Sequence, residues 1–162
     1  MTPAELHADL LRHNGEFVKM TIADLTDTEL LQRPCGMANH ANWQLGHIIA
    51  SETFFLNAMG AQAPELPAGF ADRYNKKTIG VDDPAKLAKK DDLLALFDRV
   101  RASSVQFAAN MRAEDLGKPG PEPIRPFSPT VGHTILTIAL HATMHVGQIQ
   151  ALRRKLGKPV LF

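Results

Sequence analysis

Residues 131–156 read VGHTILTIALHATMHVGQIQALRRKL, and this stretch decides the fold. Apolar side chains recur in it at helical spacing, which predicts a long helix that packs one stripe of residues against its neighbours. The stripe consists of Val131, Ile135, Ile138, Ala142, His145, Ile149, Leu152 and Leu156. His145 therefore occupies a position where a core residue belongs. His141 lies one turn earlier on the flank of the stripe, so two imidazoles share one side of the helix.

The two histidines are spaced for joint binding of one ion. Residues four apart on a helix have Cβ atoms about 5–6 Å from each other, which suits a single metal. His47 is the best candidate for a third ligand, because Trp43, His47 and Phe54 are predicted to share an inward face of another helix. A buried imidazole needs hydrogen-bond partners in any case, so the pattern alone fits a metal site and three satisfied core histidines equally well.

Short motifs around these histidines resemble the DinB-like superfamily, which includes thiol-dependent transferases. They are Gly46-His47 on the second helix, and His141-x-x-x-His145-x-Gly147-Gln148-Ile149 followed by Leu152-Arg153-Arg154-x-Leu156-Gly157 on the last. The resemblance covers nearly the whole chain. It implies a four-helix bundle, often a homodimer, with a divalent metal held by residues that correspond here to His47, His141 and His145. It thereby favours the metal site over three core histidines.

A three-histidine centre suits catalysis, because three protein ligands leave one metal position open for water or substrate. A metal bound by neutral histidines keeps its positive charge, and it lowers the pKa of a bound water or binds a thiolate. We expect zinc or nickel, with iron or manganese as alternatives, since imidazoles select weakly among these ions. Gln148 and Ser51 are the predicted second-sphere residues, although Gln148 fits an ordinary buried amide that bonds across helices equally well. Glu52, five residues after His47, is predicted to turn away from the metal and face solvent.

Two functions fit these residues. The first is a metal-dependent enzyme that acts on a small molecule, either by transferring a low-molecular-weight thiol to an electrophile or by hydrolysis. The second is a metal-binding or ligand-binding bundle without turnover. We also expect a homodimer, because the resemblance implies one and the apolar segment Val160-Leu161-Phe162 would suit a partner surface if it is exposed.

The composition limits the classes of binding partner and the compartments that fit the chain. With 18 basic and 17 acidic side chains the net charge is +1, so no strong electrostatic footprint for nucleic acid exists. The one cysteine, Cys35, excludes an internal disulfide framework and fits a reducing compartment, and the amino terminus does not read as a secretory signal, so we expect a cytoplasmic protein. The uncharged stretch 126–152 is long enough to span a membrane. Because this stretch contains three histidines, it is better explained as a buried helix of a bundle than as a membrane span.

Cap and breaker residues divide the chain into four helices, predicting one all-α domain over residues 1–162, a four-helix bundle with long crossover connections. The boundary signals are Thr2 and Pro3 for the first helix, Asn39 or Asn42 and Gly60 for the second, Asp91 and Gly117 for the third, and Ser128 with Pro129 for the fourth. The order of the helices in space is not predicted.

Two connections are long enough to cover a site. One is the crossover from Ala61 to about Lys90, and the other is the proline-rich segment from Gly117 to Pro126 that leads into the last helix. We expect the site to open beneath the part of the crossover that carries Arg73 and Tyr74, or beneath residues 119–129.

Overall fold

The computed structural model describes residues 1–162 as a helical bundle without strands, as the sequence predicts. Four long helices form the bundle, and three short helices lie in the connections between them. The long helices are α1 (Pro3–Ile22), α3 (Ala41–Ala58), α5 (Lys90–Ala109) and α7 (Val131–Lys155), and the short ones are α2 (Asp27–Leu30), α4 (Phe70–Arg73) and α6 (Ala113–Leu116). None of the helices combines the length and apolar character needed to cross a bilayer.

The first and last long helices begin with side-chain caps. Thr2 and Glu5 form the capping box at α1, as predicted. At α7 the prediction of Ser128 and Pro129 is two residues early, because Thr130 caps the helix instead. The Ser128 hydroxyl is buried and hydrogen bonds to Thr134 and Thr137.

The prediction of an asparagine cap at α3 is wrong. His40 caps this helix, since its Nδ1 accepts a hydrogen bond of 3.0 Å from the amide of Trp43. Asn42 points to the crossover, where it donates to the carbonyl of Ala88. α5 also ends earlier than expected, at Ala109, and the residues before Gly117 form the separate helix α6.

The four long helices are arranged so that sequence neighbours are often diagonal. α1 packs against α5 and α7, and α3 packs against the same two helices. α1 therefore lies diagonally across from α3. Asn14 contacts Thr143 and, further along both helices, Thr21 contacts Arg153, so α1 and α7 run parallel.

α3 and α5 also run parallel. Near the start of α3, Asn42 bonds to the carbonyl of Ala88, just before α5 begins. Further along α3, Glu52 bonds to Arg101 within α5. The connection between two parallel neighbours must return along the full length of the bundle. This geometry explains why residues 59–89 form such a long crossover.

A polar network crosses the core of the bundle and corrects the prediction for Glu52. Glu52 is only 2% exposed, and it accepts hydrogen bonds from Arg101 (2.9 Å) and Ser104 (2.6 Å) of α5. Arg101 also donates to Asn14 of α1, whose amide donates to Thr143 of α7. All four long helices thus contribute to the network, α5 with two residues and the others with one each. The five-residue offset does turn Glu52 away from His47, but it turns it toward α5 and not toward solvent.

Candidate metal centre

α3 and α7 pack antiparallel and bring His47 next to His141 and His145. One ring nitrogen of each histidine lies within 4.8 Å of those of the other two. The Nε2 atoms of His141 and His145 are 3.2 Å apart, and their ring planes are almost perpendicular, at 89°. The structure therefore assembles the three predicted histidines into one cluster, although they come from helices far apart in the sequence.

His145 is oriented by a buried amide. Its Nδ1 lies 3.1 Å from Oε1 of Gln44, and the amide nitrogen of Gln44 donates to the carbonyl of Asn39 at 2.7 Å. Because the second bond turns the Gln44 oxygen toward the imidazole, Nδ1 of His145 must be the donor. The unprotonated nitrogen is then Nε2, which faces the cluster.

His47 is oriented by the backbone of the crossover. Its Nδ1 lies 2.9 Å from the carbonyl oxygen of Tyr74, which can only accept a hydrogen bond. Nδ1 therefore carries the proton, and the lone pair of Nε2 is free. The ring of Trp43 stacks on His47 with 4.7 Å between centroids and 13° between planes. One face and one edge of the imidazole are fixed in this way.

Burial keeps the cluster uncharged. Removal from water lowers the pKa of His145 to about 3 and that of His141 to about 4, and the neighbouring imidazoles add to the lowering. The pKa of His47 is lowered as well, mainly by burial. At neutral pH all three rings are therefore neutral and hold a lone pair that a cation could use.

The two predicted second-sphere residues make no direct contact of this kind in the structure. Gln148 is exposed and Ser51 is half-buried, and neither side chain hydrogen bonds to a histidine. Gln44 takes that place at His145. Its position three residues before His47, which places both side chains on one side of a helix, is the signal that could have revealed it. No side-chain pattern could reveal the Tyr74 contact, because the backbone carbonyl makes it.

Of the two long connections predicted to cover the site, the crossover reaches the cluster, and several other features singled out from the sequence lie outside it. Phe54 is 48% exposed, so the predicted inward face of α3 contains Trp43 and His47 but not Phe54. The crossover reaches the cluster through Tyr74, whereas Pro119 pairs with Thr130 at the start of α7. The remaining histidines are His7, His13, His40 and His133, and none of them is part of the cluster.

Two solved structures share this fold. The conserved protein of a locus from Enterococcus faecalis superimposes with a TM-score of 0.68 at 16% identity, over 98% of this chain and 99% of that one. YfiT from Bacillus subtilis, described as a probable metal-dependent hydrolase with an unusual four-helix bundle topology, gives a TM-score of 0.66 at 14% identity, over 96% and 89%. These likenesses show the fold. A comparison with curated proteins finds no match.

The family is shown by sequence. The profile of the DinB superfamily matches residues 11–149, a range that contains all three clustered histidines, the whole of α3 and α5, and most of α1 and α7. The match agrees with the resemblance carried by Gly46-His47 and the motif that begins at His141. The chain therefore belongs to the DinB superfamily.

Proposed function

We propose that this protein is a metal-dependent enzyme that acts on a small molecule at a divalent metal centre held by His47, His141 and His145. One observation carries the proposal: three neutral imidazoles converge within 4.8 Å, and two of them have the outer nitrogen tied to a hydrogen-bond acceptor. A hydrogen-bond acceptor at the outer ring nitrogen is typical of histidines that ligate metals. The donor set therefore fits a divalent ion.

The contact between His141 and His145 also suits a cation. Because Nε2 of His145 is unprotonated, the 3.2 Å contact requires a proton on Nε2 of His141 in the metal-free protein. Nδ1 of His141 has no hydrogen-bond partner that would oppose a change of tautomer. A cation at the centre of the cluster would use both Nε2 lone pairs. Zinc or nickel is the proposed ion, with iron or manganese as alternatives.

The reaction proposed is hydrolysis or thiol transfer. When bound, the metal would supply a Lewis acid that lowers the pKa of water or holds a thiolate at its open position. The description of YfiT as a probable metal-dependent hydrolase supports hydrolysis. The superfamily resemblance supports transfer of a low-molecular-weight thiol. In both cases the chain contributes the oriented imidazoles and the apolar surroundings.

A binding protein without turnover is the second candidate. The position of Glu52, which points away from the histidines, favours it. Glu52 is the acid nearest to His47 in sequence within α3, and both of its oxygens are engaged by Arg101 and Ser104 on the other side of the helix. No carboxylate joins the histidine cluster. A general base of this type is therefore missing beside the metal, which weighs more against hydrolysis than against thiol transfer.

Metal analysis of the untagged protein tests the centre. We expect one divalent ion per chain in the wild type, a sharp loss in His145→Ala, and wild-type content in the control His7→Ala, whose ring bonds to the carbonyl of Pro3 on the surface of α1. Equal occupancy in both variants would disprove the assignment.

Turnover separates the two functions. The purified protein is screened with ester and amide substrates, and with low-molecular-weight thiols paired with electrophiles. Activity that disappears on chelation, returns when the metal is restored, and is absent from His141→Ala supports the enzyme. Full metal occupancy without turnover in any of these assays favours the binding protein.

A further inference from the structure

We infer that Tyr74 is a positioning residue of the metal centre, so that docking of the crossover segment 70–78 onto α3 and metal binding at His47 strengthen each other. The inference rests on the proposed function, because it concerns the same three-histidine centre. It adds that a part of the chain without any ligand sets the metal affinity.

The ring of Tyr74 is seated in a gap that exists only because residue 46 is glycine. A Cβ atom added to Gly46 would lie 2.2 Å from the Tyr74 ring, well inside van der Waals contact. Tyr74 is completely buried. Its hydroxyl donates to Asn42 at 3.3 Å and accepts from the amide of Ala88 at 2.8 Å. The side chain thus holds the crossover against the turn of α3 that carries His47.

Seating of the ring determines where the Tyr74 carbonyl lies. With the ring against Gly46, the carbonyl oxygen is 2.9 Å from Nδ1 of His47 and accepts its proton. If the segment undocks, His47 loses this acceptor, and its ring becomes free to rotate and to carry the proton on either nitrogen. Only the arrangement with Nδ1 protonated leaves Nε2 free for a metal.

A second hydrogen bond joins the same segment to Trp43, the residue stacked on the face of His47. Trp43, which stacks on His47, donates from its indole nitrogen to Oγ1 of Thr78 at 3.1 Å. Thr78 in turn bonds to the carbonyls of Arg73 and Asn75 at 2.9 and 2.8 Å. The segment therefore fixes the imidazole through its edge and through the ring stacked on its face.

Coupling between docking and metal binding follows from this geometry. The docked segment pre-orients one of three ligands, so metal binds more tightly to the docked state. By linkage the bound metal must then stabilise docking by the same factor. Trp43 is the only tryptophan of the chain, so its fluorescence reports on this contact without any label.

The main test compares two glycine-to-alanine substitutions in helices. Gly46→Ala forces the Tyr74 ring away while all three histidines remain, and we expect a loss of Zn²⁺ affinity of about 10- to 100-fold, the range typical of lost second-sphere partners. Gly147→Ala on α7 is the matched control, because its Cβ would meet open space. We expect its Zn²⁺ affinity to stay within about twofold of the wild type, since the ligand partners are untouched. Circular dichroism verifies that both variants are folded.

Hydrogen exchange on the wild type tests the reverse direction and needs no variant. Addition of Zn²⁺ should slow exchange of the amides of Tyr74 and Thr78, which bond to Ala71 and Asn75 within the segment. Exchange in the control helix Ala113–Leu116 should not change. Trp43 fluorescence should shift on the same Zn²⁺ titration. This arm decides the question if Gly46→Ala fails to fold.

The outcomes separate the inference from the proposed function. Tight Zn²⁺ binding by the wild type, with unchanged affinity in folded Gly46→Ala or unchanged exchange at residues 74 and 78, overturns the inference and leaves the metal centre standing. A wild-type chain that binds no Zn²⁺, Ni²⁺, Fe²⁺ or Mn²⁺ overturns the proposed metal centre and the inference together. Weakened binding in Gly46→Ala with slowed exchange in the wild type supports both.

Discussion

At the scale of single residues, Glu52 and Arg101 form a charged pair inside the bundle, with 2% and 5% of their surfaces exposed. Nε of Arg101 has no hydrogen-bond partner, so the guanidinium depends on Glu52, Asn14 and the carbonyl of Leu11. Removing the carboxylate would leave an uncompensated positive charge in the core. Such a change is far more costly than the loss of an exposed ion pair.

We therefore predict that Glu52→Ala lowers the free energy of unfolding by about 3–5 kcal/mol. Glu52→Gln should cost less, because the amide still accepts from Arg101 or Ser104. Glu65→Ala, at an exposed and unpaired acid of the crossover, is the control and should be nearly neutral. Urea unfolding of the three variants measures the difference. A loss in Glu52→Ala as small as that of Glu65→Ala would show that the pair does not stabilise the bundle.

Gln44 gives a second prediction at this scale. We expect Gln44→Ala to weaken metal binding about tenfold or more, because His145 loses the acceptor that fixes its tautomer. Gln44→Glu keeps an acceptor and should recover part of the affinity. Gln148→Ala is the matched control on the exposed side of α7. If Gln148→Ala weakened binding as much as Gln44→Ala, the orienting role would belong to Gln148.

At the residue scale, the sequence could indicate relations within one helix but not relations between helices. The spacing of His141 and His145 within an apolar stripe identified both, since one helix fixes their relation. His47 was a candidate from its predicted inward face, but only the family resemblance favoured its joining the pair in a metal site, because pairing of α3 with α7 is not encoded in spacing. Glu52 was misplaced because its angle to His47 was considered without the position of α5, and Gln44 was missed because both sides of α3 are buried.

At the scale of elements, the amino terminus of α3 depends on an uncharged imidazole. Nδ1 of His40 caps the helix, and Nε2 donates to the carbonyl of Val81 in the crossover at 2.9 Å. Burial lowers the pKa of His40, with Arg33 adding to the lowering while Val81 and Asp82 oppose it. A protonated ring could not accept the hydrogen bond from Trp43, so the cap is lost when His40 is charged.

This cap predicts a pH dependence of stability. Histidines of the unfolded chain bind protons below about pH 6.5, whereas buried His40 resists protonation, so the unfolded state gains protons and stability falls as the pH drops. His141 and His145, with pKa values of about 4 and 3, act in the same direction in the metal-free protein. We expect the urea midpoint of metal-free protein to decline from pH 7 to pH 5.

A substitution isolates the contribution of His40. His40→Asn keeps a side-chain acceptor for the cap but cannot titrate, so its urea midpoint should decline less over the same pH range, even if its stability at pH 7 is lower. The carboxyls of Asp24 and Asp82, whose pKa values are lowered by arginine partners, titrate below this range and do not interfere. A decline identical to that of the wild type would show that His40 is not responsible.

Helix ends illustrate the reach of sequence patterns at this scale. The Thr2 capping box was predicted, because all of its contacts lie within one turn of the chain. Ser128 and Pro129 carried an equally good local signal, but Ser128 is buried against Thr134 and Thr137, and the helix starts after Thr130. His40 was not predicted as a cap, because its position depends on Val81 in a distant segment.

At the scale of the whole molecule, the outer surface of α1 and α7 is partly apolar. Large hydrophobic side chains stand exposed on both helices, and Phe162 packs on Phe17 with 5.0 Å between ring centroids. The exposed residues include Leu6 (56%), Leu140 (65%) and Met144 (61%). Surfaces of this kind are typical of interaction sites.

We propose that two copies of the chain associate through this surface. Light scattering at about 100 µM should report a homodimer for the wild type, because an association with a Kd in the micromolar range is populated at this concentration. Leu140→Glu should dissociate it without loss of helix content, because the side chain is exposed and not part of the core. Gln62→Glu, at an exposed position of the crossover, adds the same charge outside this surface and is the control. A monomeric wild type would rule out the dimer.

The diagonal placement of successive helices also sets the order of events during synthesis. Of the four contacts between long helices, only that of α3 with α5 joins helices that follow each other among the long ones, and it spans the crossover. His47 emerges from the ribosome long before its partners on α7, because α5 and two long connections lie between them in the sequence. Until then no nascent intermediate holds more than one ligand of the centre, so a growing chain has little means of trapping a stray cation. The ion is therefore selected only by the finished fold. Folding is expected to be slower than in a bundle of successive hairpins, because the contacting helices are far apart in the sequence.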